Sequence, residues 1–285
     1  MRESVHVGVV QFAPQLLEKK SNLNRMSQIV ASTGQRNSFD LIVFPELATT
    51  GYVPATYSET FHDRLRDLAD STEDVDFLGP LREAAKSSGC FVAVGFSETD
   101  GSHLYNSLAL IDPTGSVVSV HRKVHLWSKE GQYFTPGDRF DVVATELGTV
   151  ALSLCYDSRL PENTRAQVLQ GAEIAICSFA LVDDEFLSAA ESLGRRASTR
   201  AIENGIFWVA CNRTGQDETG TFNGGSAIAD PAGALIGTPL PSDPGIIHAV
   251  MTSGRIEAAM READEMNRAA VVEVRPKASH SDEPR

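Results

Sequence analysis

The stretch VALSLCYDSRLPENTR, residues 150–165, ends an apolar run on a single cysteine and passes at once into a polar, proline-marked segment. Val150, Ala151, Leu152 and Leu154 lack clean apolar–polar alternation, which predicts a strand of a sheet covered on both faces. Pro161 suits the first turn of a helix, where a missing N–H costs nothing, and Gly171 can close that helix in a left-handed conformation. The reading is therefore strand, corner, helix, with Cys155 at the carboxyl end of the strand. In open α/β sheets that crevice is where ligands bind, and a helix N-terminus there favours a thiolate. A small buried hydrophobe is the ordinary fate of a cysteine, so other residues must decide between the two.

The same alternation of strand and helix extends outward over residues 4–275 without a linker or a change of composition. This predicts an α/β fold in one domain, residues 1–275, followed by a polar tail, PKASHSDEPR, at 276–285 that is either mobile or wrapped on a partner subunit. Val5 to Phe12, DLIVF at 40–44 and CFVAVGF at 90–96 read as strands. Leu23, Met26, Ile29 and Val30 recur at helical spacing behind Ser21 as a cap, and Leu78, Leu81 and Ala85 mark another helix. Phe186, Ala190, Leu193, Ala197 and Ala201 line one face of a long helix that ends before the strand IFWVAC at 206–211. LYNSLALI and VVSVHRK, joined by DPTGS, form a hairpin, and GSAIADPAGALIG at 225–237 repeats that pattern.

Composition sets limits. The 285 residues carry a formal charge of −13, which disfavours nucleic acid and anionic membrane surfaces as partners. No apolar run reaches the eighteen or so residues of a membrane span, and the N-terminus lacks the apolar core of a signal peptide. Cys90, Cys155, Cys177 and Cys211 stand far apart with no Cys-x-x-Cys pair, which fits a reducing, cytoplasmic setting and gives no zinc signature. No His-Glu-x-x-His spacing suggests another metal. GTFNGGS at 220–226 lacks the lysine of a phosphate-binding loop, so neither a metal nor a nucleotide cofactor is expected.

Two further strand ends carry chemistry. In LIVFPELATTGY, residues 41–52, a buried strand runs straight into Glu46. In VVSVHRKVHLW, residues 117–127, alternation puts Lys123 on the face of His121 and His125, opposite Arg122 and Val124. Solvated loops are the ordinary place for such charges. What singles them out is that a thiol, a carboxylate and an ammonium all sit where an α/β sheet collects its site. His125 is an alternative partner for Cys155 in a papain-like dyad, although the local papain signature is absent. Asp157, Arg159, Glu162 and Arg165 read as an ion-pair cluster anchoring the corner.

These motifs resemble the nitrilase superfamily of carbon–nitrogen hydrolases, whose catalytic set is Glu, Lys and Cys. FPELATTGY is similar to its Glu motif, HRKVHL to its Lys motif and LCYDSRLPE to its Cys motif. SKEGQYFTPGD is similar to the segment that carries a second glutamate, here Glu130. RRASTRAIENGIFWVACNRTG and FNGGSAIADPAGALIG extend the likeness over about residues 5–275. The resemblance implies an αββα sandwich of two mixed β-sheets flanked by helices, commonly paired into homodimers or higher homo-oligomers.

It also implies roles. Cys155 is the nucleophile and forms an acyl-thioester, Glu46 is general base and then acid, and Glu130 orients Glu46 and Lys123 or positions the substrate. Lys123 and the backbone N–H of Tyr156 form the oxyanion hole. A glutamate near its ordinary pKa mismatches a free thiol by ~4 units, about 6 kcal/mol. Burial and the charge of Glu130 are expected to raise Glu46, while Lys123 and the helix N-terminus are expected to lower Cys155.

Nitrile-hydrolysing members show Cys-Trp-Glu, whereas this chain reads Cys155, Tyr156, Asp157, closer to the small amidase branch that includes ω-amidases. Leu160 in place of the usual Phe, and a short insertion between Lys123 and Glu130, depart from the ω-amidase pattern. The expectation is hydrolysis of a small linear amide to carboxylate and ammonia, with an N-carbamoyl amine or amino acid as the alternative substrate. Tyr52, Trp127, Tyr133, Tyr156 and Phe179 are candidates for the pocket wall, and Asn212 and Arg213 for contact with a polar substrate end. A binding protein without turnover, or a redox sensor using Cys155, is the reading from another class.

Overall fold

Strand β1 (Ser4–Gln11) shows how the layers arise. Val5, Val7 and Val9 point to one buried face, whereas Val10 and, just beyond the strand, Phe12 pack on the other. The computed structural model describes residues 1–37, 39–53, 57–183, 187–237 and 243–269. After β1 come α1 (Lys19–Asn37), β2 (Leu41–Val43), α2 (Glu59–Leu68), α3 (Gly79–Ser88), β3 (Phe91–Thr99), β4 (Leu104–Ile111), β5 (Val117–Arg122) and a 3-10 turn (Ser128–Gln132). Then follow β6 (Val142–Thr145), β7 (Gly148–Leu154), a second 3-10 turn (Cys155–Arg159), α4 (Pro161–Leu169), β8 (Ile174–Phe179), α5 (Ala189–Asn204) and β9 (Phe207–Asn212). The ribbon β10 (Thr214–Asp217) and β11 (Gly220–Asn223), then β12 (Ala227–Ala229), β13 (Leu235–Ile236), β14 (Gly245–Thr252) and α6 (Ser253–Ala269) complete the described chain.

Two six-stranded mixed sheets result, in the orders β14-β1-β2-β3-β4-β5 and β6-β7-β8-β9-β12-β13. Read in those directions, both show the same pairings: antiparallel, parallel, parallel, antiparallel, antiparallel. The chain thus uses one topology twice although no sequence repeat announces it. Both terminal hairpins turn through Asp-Pro-x-Gly. Asp112 and Asp230 each accept a bond from the N–H of the glycine three residues on, Gly115 and Gly233, whose φ values are 82° and 81°. Glycine meets that left-handed requirement without strain.

The sheets face each other across one core, in which Val7, Val9, Val43 and Leu108 meet Val150, Leu152, Ile176 and Val209. The outer face of the first sheet is covered by α1 and α3 through Met26, Val30, Leu81 and Ala85. α5 covers the second through Leu193, Ala197 and Ala201. The architecture is the αββα sandwich.

Two local expectations change. α1 begins at Lys19, so Ser21 lies inside the helix, where its hydroxyl donates to Gln15 Oε1. On α5 the inward residue of the first turn is Ala189 and Ala190 is exposed, because the helix starts at Ala189, capped by Ser188. Phe186 and the tail at 276–285 lie outside the described residues.

Candidate active site

Glu46 follows β2 by three residues, and a close backbone approach holds it there. Gly95 on β3 donates its N–H to Pro45 O at 3.2 Å, and its carbonyl accepts from Thr49 N at 3.3 Å. A Cβ at position 95 would come within 2.7 Å of Glu46 Cα and 2.5 Å of Pro45 O, so only glycine fits. The Glu46 carboxylate is fully buried and fully bonded: Oε1 accepts from Asn106 Nδ2 at 2.8 Å and Lys123 Nζ at 2.7 Å, and Oε2 accepts from Ala180 N at 2.8 Å. Ala180 follows β8, so the ends of β2 and β8 meet across the sandwich.

Lys123 follows β5, its N–H bonded to Asn106 O and its carbonyl to Gly137 N, both at 2.8 Å. The predicted alternation holds: Arg122 turns the other way, pairs with Glu98 at 2.6 Å and lies 3.7 Å over the Tyr105 ring. Lys123 Nζ reaches Glu130 Oε1 at 2.8 Å as well as Glu46. Glu130 sits on the first 3-10 turn, where its Oε2 accepts from Trp127 N at 2.8 Å and its Oε1 also accepts from the Tyr52 hydroxyl.

Cys155 opens the second 3-10 turn with φ at 39°, a left-handed value that costs a non-glycine residue about 1–3 kcal/mol and persists only when its surroundings over-determine it. Ser158 Oγ donates to Cys155 O at 2.6 Å and accepts from Arg196 Nη1 at 3.1 Å, while Arg200 Nη2 donates to Ser158 O at 3.2 Å. Two arginines of α5 therefore pin the corner from one side. The expected ion-pair cluster is not what anchors it. Arg159, Glu162 and Arg165 are exposed, and Asp157 turns inward to His121 Nε2 at 2.8 Å and the His125 N–H at 2.8 Å. His125 Nδ1 lies 3.2 Å from Asp157 Oδ1 and 3.1 Å from Asn163 Nδ2, so its ring is engaged away from any dyad with Cys155.

Burial raises Glu46 above the usual glutamate range; Lys123 opposes this and Glu130 adds to it. For Lys123 burial acts downward, but the two carboxylates prevail and hold the ammonium well above its ordinary value. Burial acts upward on Asp157, and the His121 bond and charge, with the His125 N–H, outweigh it and hold that carboxyl low. The expectation for Cys155 is reversed. Burial, then the charge of Glu46, push the thiol far up, and Lys123 and Arg196 do not offset them. A 3-10 turn also separates the sulfur from α4, whose first residue, Pro161, lies six positions further on. The direction for the Cys155 thiol is therefore upward, toward its protonated form.

Beside Glu130 and Ala180 opens a cleft of about 160 Å³. Tyr52, Val53, Trp127, Ala180, Val182 and Phe222 give it an apolar lining, with Ser128, Lys129 and Thr219 at its polar edge. Of the pocket candidates, Tyr52 and Trp127 line this cleft. Tyr133 packs against Tyr57 and Phe61 with its hydroxyl accepting from Ser58 N, Phe179 is buried against Trp208, and Tyr156 is exposed next to Cys155. Asn212 spends its amide on Leu181 and Gly224, and Arg213 is buried 3.8 Å from the Phe222 ring centroid with a bond to Asp217 at 2.8 Å. The sequence reading missed Phe222 and Thr219, because the short ribbon β10–β11 carries no periodic signal, and it missed Ala180, which contributes only a backbone N–H. Among the described residues no cluster of three His, Cys, Asp or Glu side chains is arranged to hold a metal, and no helix is long and apolar enough to cross a membrane.

Residues 6–261 match the carbon–nitrogen hydrolase family. The chain is 33% identical to an (R)-stereoselective amidase of Pseudomonas sp. over 81% of this chain and 79% of that one. It is 30% identical to a nitrilase of Pyrococcus abyssi, covering 81% and 84%, and 30% identical to an N-carbamoylputrescine amidase of Arabidopsis thaliana, covering 82% of each. Among solved structures, a carbon–nitrogen hydrolase of Helicobacter pylori G27 shares the fold with a TM-score of 0.82 at 24% identity, over 93% and 94% of the two chains. A variant of the amidase from Nesterenkonia sp. AN1, which carries the acetamide moiety of fluoroacetamide on its active-site cysteine, superposes with a TM-score of 0.75 at 25% identity over 95% and 98%. Fold, motif order and matched span make this chain a member of the carbon–nitrogen hydrolase family within the nitrilase superfamily, a hydrolase acting on carbon–nitrogen bonds other than peptide bonds.

Proposed function

We propose that the protein hydrolyses a small linear amide with a neutral acyl group to its carboxylate and ammonia. The observation that carries this reading is the pairing of one fully buried ammonium, Lys123, with both Glu46 and Glu130, close enough to Cys155 for all three charges to act on its sulfur. A neutral thiol beside a carboxylate of raised pKa is suited to give up its proton as it attacks, rather than before. Glu46 takes that proton while sulfur bonds to the amide carbon. The developing oxyanion is held by the Lys123 ammonium and the Tyr156 N–H. Glu46 returns the proton to the nitrogen, the C–N bond breaks, ammonia leaves and the acyl-thioester remains on Cys155. Water then gives a proton to Glu46, attacks the thioester and restores the thiol. Glu130 fixes Lys123 between the carboxylates and takes the Tyr52 hydroxyl.

The apolar lining of the cleft supports a neutral acyl group, with Tyr52, Trp127 and Phe222 as its walls. Likeness to an N-carbamoylputrescine amidase favours a second reading, in which an N-carbamoyl amine gives the same tetrahedral intermediate. Ammonia release from a panel of aliphatic amides, nitriles and carbamoyl compounds, beside Cys155→Ala, separates these readings. Mass spectrometry of the trapped thioester names the acyl group. No release from any of them by the native protein overturns the reading of a small amide or N-carbamoyl substrate.

We also propose that residues 1–275 act as one domain, in the cytoplasm, as a homodimer or larger homo-oligomer. Ile202 on α5 and Leu235 on β13, 60% and 56% exposed, support a second copy on that face. Light scattering after gel filtration, with Ile202→Glu as the contrast, measures the assembly.

A further inference from the structure

Beside the four proposed catalytic side chains, Asp157 is a buried carboxylate to which the reaction assigns no task. Its side chain has no solvent exposure. Oδ2 accepts from Leu154 N at 3.2 Å and lies 2.8 Å from His121 Nε2. Oδ1 accepts from Val124 N at 3.2 Å and His125 N at 2.8 Å. These partners are not scattered: Leu154 immediately precedes Cys155, whereas His121, Val124 and His125 bracket Lys123. One carboxylate therefore joins the corner that ends β7, in the second sheet, to the segment that leaves β5, in the first.

Apolar packing between sheets is non-directional and does not fix two side chains to a fraction of an ångström. Directed bonds do. Glu46 is tied across the sandwich by Ala180 N, and Ser178 Oγ donates to Phe44 O at 2.8 Å beside it. Asp157 supplies the corresponding tie for Lys123. The His121 and His125 rings stack on Phe140, with centroids 5.4 and 5.9 Å away, and Asn163 Nδ2 donates to Asp157 O at 2.7 Å, so the knot is itself held rigid. An oxyanion donor works only within about 2.7–3.1 Å of the oxygen it stabilises.

We infer that Asp157 is a positioning residue that sets the Lys123 ammonium against the Cys155 sulfur, by bonding at once to the backbone before the nucleophile and the backbone after the lysine. The inference rests on the roles of Lys123 and Cys155 proposed above.

The test is Asp157→Asn in the full chain. An amide of the same shape presents Nδ2 to N–H groups and cannot accept from all of them. A misplacement of about 1 Å is worth about 100-fold in rate. The expected result is kcat lower by about 100-fold with KM within about threefold of native, while one Cys155 per chain is still titrated by 2-chloroacetamide. His121→Ala, which leaves the carboxylate and removes one donor, is expected to lower kcat by about 10-fold and serves if Asp157→Asn does not fold. A loss of kcat matched by an equal loss of titratable Cys155 shows a scaffold role only and overturns the inference. Native kcat in Asp157→Asn overturns it too, and leaves the amidase reading standing. No turnover in the native protein overturns that reading, and this one with it.

Discussion

Lys123 Nζ lies 2.7 Å from Oε1 of Glu46, and neither side chain has any solvent exposure. Because Glu130 shares the same ammonium at 2.8 Å, one cation serves two buried carboxylates. Removing the cation leaves two anions without their partner, and breaking a buried pair costs about 3–5 kcal/mol. Removing one carboxylate instead relieves repulsion. Lys123→Met is therefore expected to melt at a clearly lower temperature than Glu130→Gln at pH 7, and paired thermal scans measure the difference. Equal melting points would refute this account of the charge balance.

The raised pKa of Glu46 has a definite sign in stability. Folding favours its protonated form, so its contribution is present below the unfolded value of about 4.3 and is lost as pH rises through the folded value. Glu46→Gln, a mimic of the protonated acid, is expected to lose less stability than the native protein between pH 4 and pH 7 while losing nearly all turnover. The acid limb of kcat/KM in the native protein should lie above the ordinary glutamate range. Melting curves at several pH values and a pH–rate profile check both.

The upward direction of the Cys155 pKa predicts slow background chemistry. Burial and Glu46 hold Cys155 up, so a disulfide reagent that cannot engage Glu46 should react with it more slowly than with a free cysteine at pH 7. Its rate should keep rising with pH beyond about 8.5, the ordinary thiol value. Stopped-flow absorbance with 4,4′-dithiodipyridine, using Cys155→Ala to subtract the other cysteines, reads this directly. A rate that levels off below pH 7 would mean a resting thiolate.

Gly95 is a residue whose change should be felt without touching chemistry. A methyl there meets backbone atoms of Pro45, Glu46 and Leu47 at 2.5–2.7 Å, and backbone cannot swing aside as a flexible side chain can. Gly95→Ala is expected to cost about 1–3 kcal/mol of stability. It should also lower kcat by about 10-fold or more through displacement of Glu46. Urea unfolding and steady-state rates at a temperature where the variant is folded separate the two effects.

Phe222 forms one wall of the cleft, 6.3 Å and edge-on to Tyr52. Truncation to alanine opens space for a longer acyl chain. One methylene in an apolar pocket is worth about 10–200-fold in selectivity. Phe222→Ala is expected to raise the kcat/KM ratio of valeramide to propionamide by at least about 10-fold. An unchanged ratio would place the acyl group elsewhere.

Much of this protein could be read residue by residue. Strand β7 running into Cys155, Glu46 behind β2, Lys123 facing away from Arg122 and the Asp-Pro-x-Gly hairpins all follow from side-chain period and turn chemistry, which are local. Ser21 and Ala190 were misplaced for the same local reason, since one residue of drift at a helix start alters both the cap and the inward face.

What the tertiary structure alone decided is whatever depends on groups remote in the chain. Glu46 meets Ala180 across 134 residues, Asp157 selects His121 across 36 rather than the arginines nearby, and the cleft takes a wall from β11. The protonation state of Cys155 belongs here as well. A thiol at a strand end can be read in the amino-acid order, but its pKa is set by how completely water is excluded and how near two carboxylates lie, and those are distances that only the packed sandwich defines.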